Sequence, residues 1–234
     1  MHSEIRHTLV KIEKKIMKNI LLTCMLLTAV VASAADRFVT FKGGEGSFAI
    51  AKQGQVLNIV YDSNDDEGVK MAIASLQSDL KSVTGIAPAL NSQLSAVNSP
   101  CIIIGSLQSA VIRQLMESGK IARKELQGKT EKYLLQVVGK PMSGVSQALV
   151  IAGSDKRGTI YGIYELSRQM GVSPWYWFAD VPVAHQDNIY IKKGVYTDGE
   201  PKVRYRGIFI NDEWPSFGNW AVEHFGGINS KCYE

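Results

Sequence analysis

The predicted fold is decided by the stretch Tyr205-Arg206-Gly207-Ile208-Phe209-Ile210-Asn211-Asp212-Glu213-Trp214. Its first half is apolar and typical of a strand, whereas its end carries an amide, two carboxylates and an indole. Pro215 and Gly218 follow, and then a helical pattern. In parallel (β/α)8 barrels the catalytic groups lie at the carboxyl ends of the strands. The stretch therefore predicts the first strand of such a barrel, over residues 203–210.

The N-terminal end has the composition of an export signal. Residues 1–34 contain five basic and two acidic residues, which leaves 21 basic and 20 acidic residues, a net charge of +1, for the remainder. An apolar run over residues 20–31 ends at Ala32-Ser33-Ala34, a small-residue cleavage site. The run is too short to span a bilayer. We therefore expect an exported protein, periplasmic or extracellular, with no membrane span and no basic surface for nucleic acid.

Between the signal and the opening stretch, apolar runs alternate with helical patterns. Helices are predicted between the acidic run 62–66 and Gly85, between Ser106 and Gly119, and between Ser154-Asp155 and Gly171, from their capping residues and apolar spacing. Strands are predicted over residues 38–41, 48–50, 56–61, 101–105, 133–138, 148–153 and 188–191. The continuous run at 101–105 is typical of a strand buried on both faces. The pattern predicts an α/β (α+β) domain, with a mixed β-sheet and two to three packed helices.

Two stretches have both a structural and a functional interpretation. Residues 153–166 run from a strand through Gly153 into a helix, but lack the glycine spacing of nucleotide-binding loops. We interpret Gly158 and Gly162 as a smooth stripe for close helix packing. Residues 173–182 place four aromatics between two prolines, which suits domain packing or, as an open alternative, contact with a sugar ring.

Cysteine and histidine give no evidence of a metal site. After the predicted signal, Cys101 and Cys232 are the cysteines, and His185 and His224 stand far apart in sequence. None has the spacing of metal ligands. Cys101 opens an apolar strand, so we expect a buried thiol. No cofactor is predicted.

Three motifs in order resemble glycoside hydrolase family 115, the xylan α-1,2-glucuronidases. They are residues 153–162, 171–177 and 206–213. The resemblance implies removal of glucuronic acid, or its 4-O-methyl ether, from the polysaccharide glucuronoxylan by inverting hydrolysis. It also implies an N-terminal α/β domain followed by a (β/α)8 barrel and further domains. The chain reaches only the first barrel strand, so we expect an N-terminal fragment that is inactive alone. Whether the full-length enzyme forms a homo-oligomer is left open.

The same resemblance assigns the candidate site. Asp212 is the first catalytic candidate and Glu213 the second, with Asn211 and Trp214 as substrate-binding residues. Inverting hydrolysis needs two carboxylates roughly 6.5–9.5 Å apart. Adjacent strand residues point to opposite faces, so only one of the pair can face the pocket. A helix N-cap remains the alternative for Asp212. Arg204 and Arg206 precede the strand's end and are poor candidates to bind the substrate carboxylate.

The expected organisation is a signal peptide over 1–34, an α/β domain over 35–198 and the start of a truncated barrel over 199–234. Whether this chain has enzyme activity is left open. Two alternatives remain: a carbohydrate-binding or domain-packing module, and the N-terminal domain of a β-hexosaminidase-like glycosidase. We also expect the strand over 203–210, without barrel neighbours, to lack normal strand pairing.

Overall fold

The computed structural model describes residues 37–92, 98–176, 179–211 and 217–232. The chain divides into two compact units between Glu200 and Pro201. The strands of the first unit are β1 Val39–Thr40, β2 Phe48–Lys52, β3 Gln55–Val56, β4 Ile59–Tyr61, β5 Leu90–Asn91, β6 Cys101–Ser106, β7 Tyr133–Met142, β8 Val145–Gly153, β9 Ile189–Ile191 and β10 Val195–Tyr196. Its helices are α1 Glu67–Thr84, α2 Ala110–Glu117 and α3 Lys156–Gln169.

The strands form two sheets. The larger has six strands in the order β10-β7-β8-β6-β4-β5, and the smaller has four in the order β1-β9-β2-β3. In the larger sheet β8, β6, β4 and β5 are parallel, whereas β7 is antiparallel to β8 and to β10. The predicted mixed α/β domain with two to three packed helices is confirmed, with three helices among the described residues, and a second, antiparallel sheet accompanies it.

The central strand β6 is buried on both faces, as its apolar run predicts. Ile102 and Ile104 belong to the larger core, which α1 and α3 cover together with the small sheet. Cys101 and Ile103 belong to the smaller core, under α2. Burial raises the pKa of the Cys101 thiol to about 11, so the sulfur is a buried, protonated core group, as expected.

Helix α1 begins directly after the acidic run 62–66 and ends before Gly85, as predicted, and the structure identifies Asp66 as the N-cap. Asp66 Oδ1 accepts a hydrogen bond from Gly68 N at 2.9 Å, which satisfies one of the free amides of the first turn. Gly85 follows the last turn in the left-handed conformation, and its N–H donates to Lys81 O.

Two details differ from the sequence prediction. The single strand predicted over 56–61 is two strands, because Leu57 N still bonds Ile50 O in the small sheet while Ile59 N bonds Ala89 O in the large one. Pro141 lies inside β7, at a register shift between Gly139 and Met142, where a proline's missing N–H breaks no ladder bond.

The connection over residues 120–132, which is mostly polar and charged, also contributes to the core. Ile121 is 1% exposed and Leu126 is fully buried, on either side of a short 3-10 turn over Arg123–Glu125. Two apolar side chains in a charged segment are too few for a periodic signal, but they fix the segment to the smaller core.

The second unit contains helix α4, Phe217–Phe225, and a 3-10 turn over Ser230–Cys232. Phe217 and Ala221 are the buried residues of this helix. Within the described residues, no helix is both long enough and apolar enough to cross a bilayer.

Candidate functional site

The predicted catalytic residues Asp212 and Glu213, and the predicted substrate-binding residue Trp214, lie outside the described residues. Asn211 is described: it is exposed, and its carbonyl accepts a hydrogen bond from Phe217 N at 3.4 Å, next to the start of α4. The structure thus shows one of the four predicted site residues at the surface of the second unit. The roles of all four stay predictions.

The stretch that precedes Asn211 presents large apolar side chains to solvent. Residues 203–210 have no regular secondary structure. The exposed fraction is 60% for Val203, 83% for Tyr205, 81% for Ile208 and 93% for Phe209. A barrel strand is held by hydrogen bonds to two neighbouring strands, and this segment pairs with no strand among the described residues. Its place in a barrel and the consequences of missing barrel neighbours stay predictions.

Helix α4 carries an aromatic cluster. The Trp220 and His224 rings stack with centroids 4.7 Å apart, and Phe217 and Phe225 each lie 5.4 Å from Trp220. His224 Nδ1 is 2.9 Å from Trp220 O, one helical turn earlier. The histidine is therefore held by the helix itself, as a surface residue.

In the first unit, the carboxyl ends of the parallel strands are the natural place for a ligand. Helix α1 leaves β4 toward one face of the sheet and α2 leaves β6 toward the other, and such a switch point often opens a crevice. Here Asp65 fills it: Oδ2 accepts from Ser106 N and Oδ1 from Ser106 Oγ, both at 2.7 Å. Both residues are buried. The switch point is closed by protein groups.

Beside that contact, Asp62 connects β4 to the next helix. Its Oδ2 accepts from Ala110 N at 2.8 Å, at the first residue of α2. This backbone hydrogen bond, followed by that of Asn64, lowers the pKa of the Asp62 carboxyl. The acidic loop after β4 thus supplies structural contacts to two helices, α1 through Asp66 and α2 through Asp62.

The start of α3 is closed in a similar way. Asp155 Oδ1 accepts from Gly158 N at 2.8 Å, and Asp155 Oδ2 accepts from Glu131 N at 2.7 Å. A Cβ built on Gly158 would lie 2.3 Å from Lys132 O, and one on Gly162 would lie 2.9 Å from Ile151 Cγ2. The glycine stripe therefore serves helix packing, as we interpreted it, and the amides of the first turn are not arranged around a phosphate.

A buried carboxylate secures the same helix. Glu131, only 7% exposed, places Oε1 3.1 Å from Arg157 Nη1 and accepts at Oε2 from Tyr161 OH at 3.2 Å. Its partners lie one turn apart on α3, while Glu131 itself precedes β7. The contact is a structural tie between the sheet and the helix.

Two surface grooves in the first unit lack the groups that glycoside hydrolysis needs. One, of about 560 Å³, is lined by the turn between β7 and β8, from Lys140 to Ser146, without a carboxylate. The other, of about 240 Å³, contains the single carboxylate of Glu117 beside Arg113 and Arg123. Within the described residues, no group of three or more His, Cys, Asp or Glu could hold a metal ion. Neither groove therefore offers an acid and base pair.

Sequence reasoning missed the closed switch point and the Glu131 tie. It treated the run of acids over 62–66 only as a cap for α1, although residues that follow neighbouring parallel strands meet at one sheet edge. That rule could have brought Asp65 and Ser106 together. Glu131 carried no signal, because it lies in an irregular charged segment.

Comparisons with known proteins identify the class. Residues 48–166 match the model of the glycosyl hydrolase family 67 N-terminus, and residues 198–234 match that of glycosyl hydrolase family 115. A solved family 115 4-O-methyl-α-glucuronidase, described as specific for decorated arabinogalactans, is 30% identical, with a TM-score of 0.63. The match covers 79% of this chain and 22% of that one, so this chain spans about a fifth of that enzyme's length.

Other likenesses are weaker. A β-N-acetylhexosaminidase from Streptomyces coelicolor A3(2) gives a TM-score of 0.38 at 15% identity, over 70% of this chain and 25% of that one. A Flavobacterium johnsoniae chitobiase also gives 0.38, at 13% identity, over 76% and 22%. Neither carries weight in assigning the family. A search of curated proteins gave no match.

The α/β fold of the first unit therefore belongs, over residues 48–166, to the family described as the glycosyl hydrolase family 67 N-terminus. Through residues 198–234 and the likeness to the solved glucuronidase, the chain belongs to glycosyl hydrolase family 115, of which it spans an N-terminal portion, as the three sequence motifs predict.

Proposed function

We propose that this chain is the N-terminal part of a glycoside hydrolase that removes glucuronic acid, or its 4-O-methyl ether, from a plant polysaccharide by inverting hydrolysis. The observation that carries the proposal is the match to family 115 together with a 4-O-methyl-α-glucuronidase relative. Glucuronoxylan is the first candidate substrate. Decorated arabinogalactan is the second, because that relative is described as acting on it.

In this proposal the first unit is a supporting domain, and the segment ending at Asn211-Asp212-Glu213-Trp214 is one wall of the pocket. The polar edge of the parallel sheet is closed by Asp65 and Ser106, and the two surface grooves lack a carboxylate pair. Asp212 supplies one of the two carboxylates that inversion requires, and the second comes from outside this chain.

The experiment compares the isolated chain with a chimera in which residues 35–234 replace the matching part of a family 115 glucuronidase. We expect no release of glucuronic acid from either polysaccharide by the isolated chain, and release by the chimera. In the chimera, Asp212→Asn should lower kcat by about a hundredfold or more, the usual loss when a general acid or base is removed. Asp187→Asn, at an exposed carboxylate of the first unit, is the matched control.

Three results would contradict the proposal: activity of the isolated chain, an inactive chimera that is folded, or an Asp212→Asn chimera as active as the Asp187→Asn control. Parallel assays on glucuronoxylan and on arabinogalactan decide between the two candidate substrates.

We also propose that residues 1–34 direct export, on the basis of their basic, apolar and small-residue segments. Expressed from Met1 in a bacterial host, the protein should leave the cytoplasm and begin at Ala35, as measured by N-terminal sequencing. An Ala34→Phe variant should remain unprocessed, because the cleavage site needs a small residue there. A cytoplasmic product that keeps its N-terminus would overturn this assignment.

A further inference from the structure

The last residues of the first unit run along the start of strand β7. Strand β10 pairs with β7, with Val195 opposite Gln136 and Tyr196 opposite Leu135. The chain then continues past Tyr133 to the loop that precedes β7. Residues 197–200 lie beyond β10, so contacts other than the hydrogen bonds of the sheet must fix their position.

The first anchor is a buried tyrosine. Tyr133 is 5% exposed, and its ring belongs to the larger core. Its hydroxyl donates to Asp198 Oδ2 at 2.7 Å. Burial, and then this hydrogen bond, raise the pKa of Tyr133. A buried hydroxyl needs a partner, and the packed ring fixes where that partner must stand.

The second anchor follows two residues later. Glu200 Oε1 accepts a hydrogen bond from the Thr130 backbone N–H at 2.8 Å, and Glu200 Oε2 is 3.2 Å from Lys129 Nζ. The Thr130 hydrogen bond is the main reason that the pKa of Glu200 is lowered. Because this donor is a backbone amide, the backbone fixes its direction. A surface ion pair between two flexible side chains has no such fixed geometry.

We propose that these residues form an exit clamp, in which Asp198 on Tyr133 and Glu200 on Thr130 together fix the point where the chain leaves the first unit. Asp198 and Glu200 are both exposed, so neither is needed to complete the core. The clamp ends at Glu200, next to the boundary between the two units. The inference concerns the first unit's own structure and goes beyond the proposed hydrolase function.

The test is amide hydrogen exchange of the full chain, followed by NMR. If the two anchors act as one clamp, Asp198→Ala should speed exchange of the Thr130 amide about tenfold, although Asp198 does not touch Thr130; one hydrogen bond to a charged group has roughly that effect. Tyr133→Phe, which keeps the ring, should do the same. Amides of the core strands, such as those of Ile103 and Val150, should be unchanged.

Tyr196→Phe is the matched control, because Tyr196 OH donates to Lys192 O and Lys193 O outside the clamp. It should leave the Thr130 amide protected. Two results would overturn the proposal: exchange at Thr130 that is unchanged by Asp198→Ala, or acceleration that is equal at Thr130 and in the core strands. The first would show independent anchors and the second a general loss of stability.

Discussion

Replacing Gly153 by alanine is expected to lower the free energy of unfolding by more than about 3 kcal/mol, at or above the upper end of the usual cost of overpacking. Gly153 is the last residue of β8, and a Cβ there would lie 2.1 Å from Thr159 N, 2.3 Å from Thr159 Oγ1 and 2.6 Å from Thr159 Cα. Two of these atoms are backbone, so no rotamer change can relieve the overlap. Helix α3 would have to move away from the sheet.

Such a movement would disturb other contacts of the helix start. Thr159 is fully buried, and its N–H and hydroxyl both donate to Asp155 O, at 3.0 and 2.9 Å. Asp155 in turn bonds the Glu131 backbone. A loss of 3 kcal/mol corresponds to roughly 6–12 °C in Tm for a domain of this size. Urea denaturation followed by circular dichroism, together with thermal melting, measures both quantities.

Three other glycines provide the controls. Gly158→Ala should be similarly damaging, since its Cβ would lie 2.3 Å from the Lys132 carbonyl oxygen, whereas Gly162→Ala should cost less, because its shortest contact, 2.9 Å to Ile151 Cγ2, is a smaller overlap and involves a side chain. Gly139→Ala, in strand β7, has no heavy atom within 4 Å of the new Cβ and should be close to neutral. A Gly153→Ala protein whose free energy of unfolding lies within about 1 kcal/mol of the parent's would contradict the close approach of α3, because an overlap of this size should cost more.

The sequence predicted these elements well because their signals are local. Residues 67–84 and 156–169 carry both cap and apolar stripe, and the continuous apolar run of β6 indicates burial on two faces. The separation of β3 from β4 could not be predicted, since Val56 to Tyr61 reads as one strand until long-range pairing divides it between two sheets. Tyr133 and Asp198 are 65 residues apart in sequence, so no short stretch of sequence predicts their contact.

The candidate site was less accessible to sequence reasoning. Asn211-Asp212-Glu213-Trp214 was found by its position after an apolar run and by resemblance, not by a geometric argument. A carboxylate becomes a catalytic group through its environment, and two of them must converge on one bond. Adjacent positions cannot supply that convergence, so the second carboxylate lies beyond what this stretch can predict.

Replacing Asp65 by alanine is expected to cost about 3–4 kcal/mol of unfolding free energy, because the two buried hydrogen bonds to Ser106 contribute roughly 0.5–1.5 kcal/mol each and the unsatisfied Ser106 amide costs roughly 1–3 kcal/mol more. Besides its two bonds to Ser106, Asp65 Oδ1 accepts from Asp66 N at 2.9 Å. The alanine variant leaves Ser106 N–H without a partner at the buried end of β6. Chemical denaturation followed by circular dichroism gives the difference.

Asp65→Asn distinguishes lost hydrogen bonds from lost volume. In either orientation the amide nitrogen faces a backbone donor, Ser106 N–H in one and Asp66 N–H in the other, so one contact becomes repulsive. We therefore expect a loss between those of the parent and the alanine variant, about 1–3 kcal/mol, the penalty for one unsatisfied group. Equal stability of Asp65→Asn and the parent would contradict a switch point closed by the hydrogen bonds of the Asp65 side chain.

Asp62→Ala is the matched control, three residues earlier in the same loop. Its donors, Asn64 N and Ala110 N, lie where water can replace the carboxylate, so the loss should be near 1 kcal/mol, as for a helix cap. Because the pKa of Asp62 is lowered on folding, this contribution is complete above the ordinary carboxyl pKa and disappears as the pH falls through the folded value. If the switch point is closed and dry, the loss of unfolding free energy at neutral pH should be several times larger for Asp65→Ala than for Asp62→Ala.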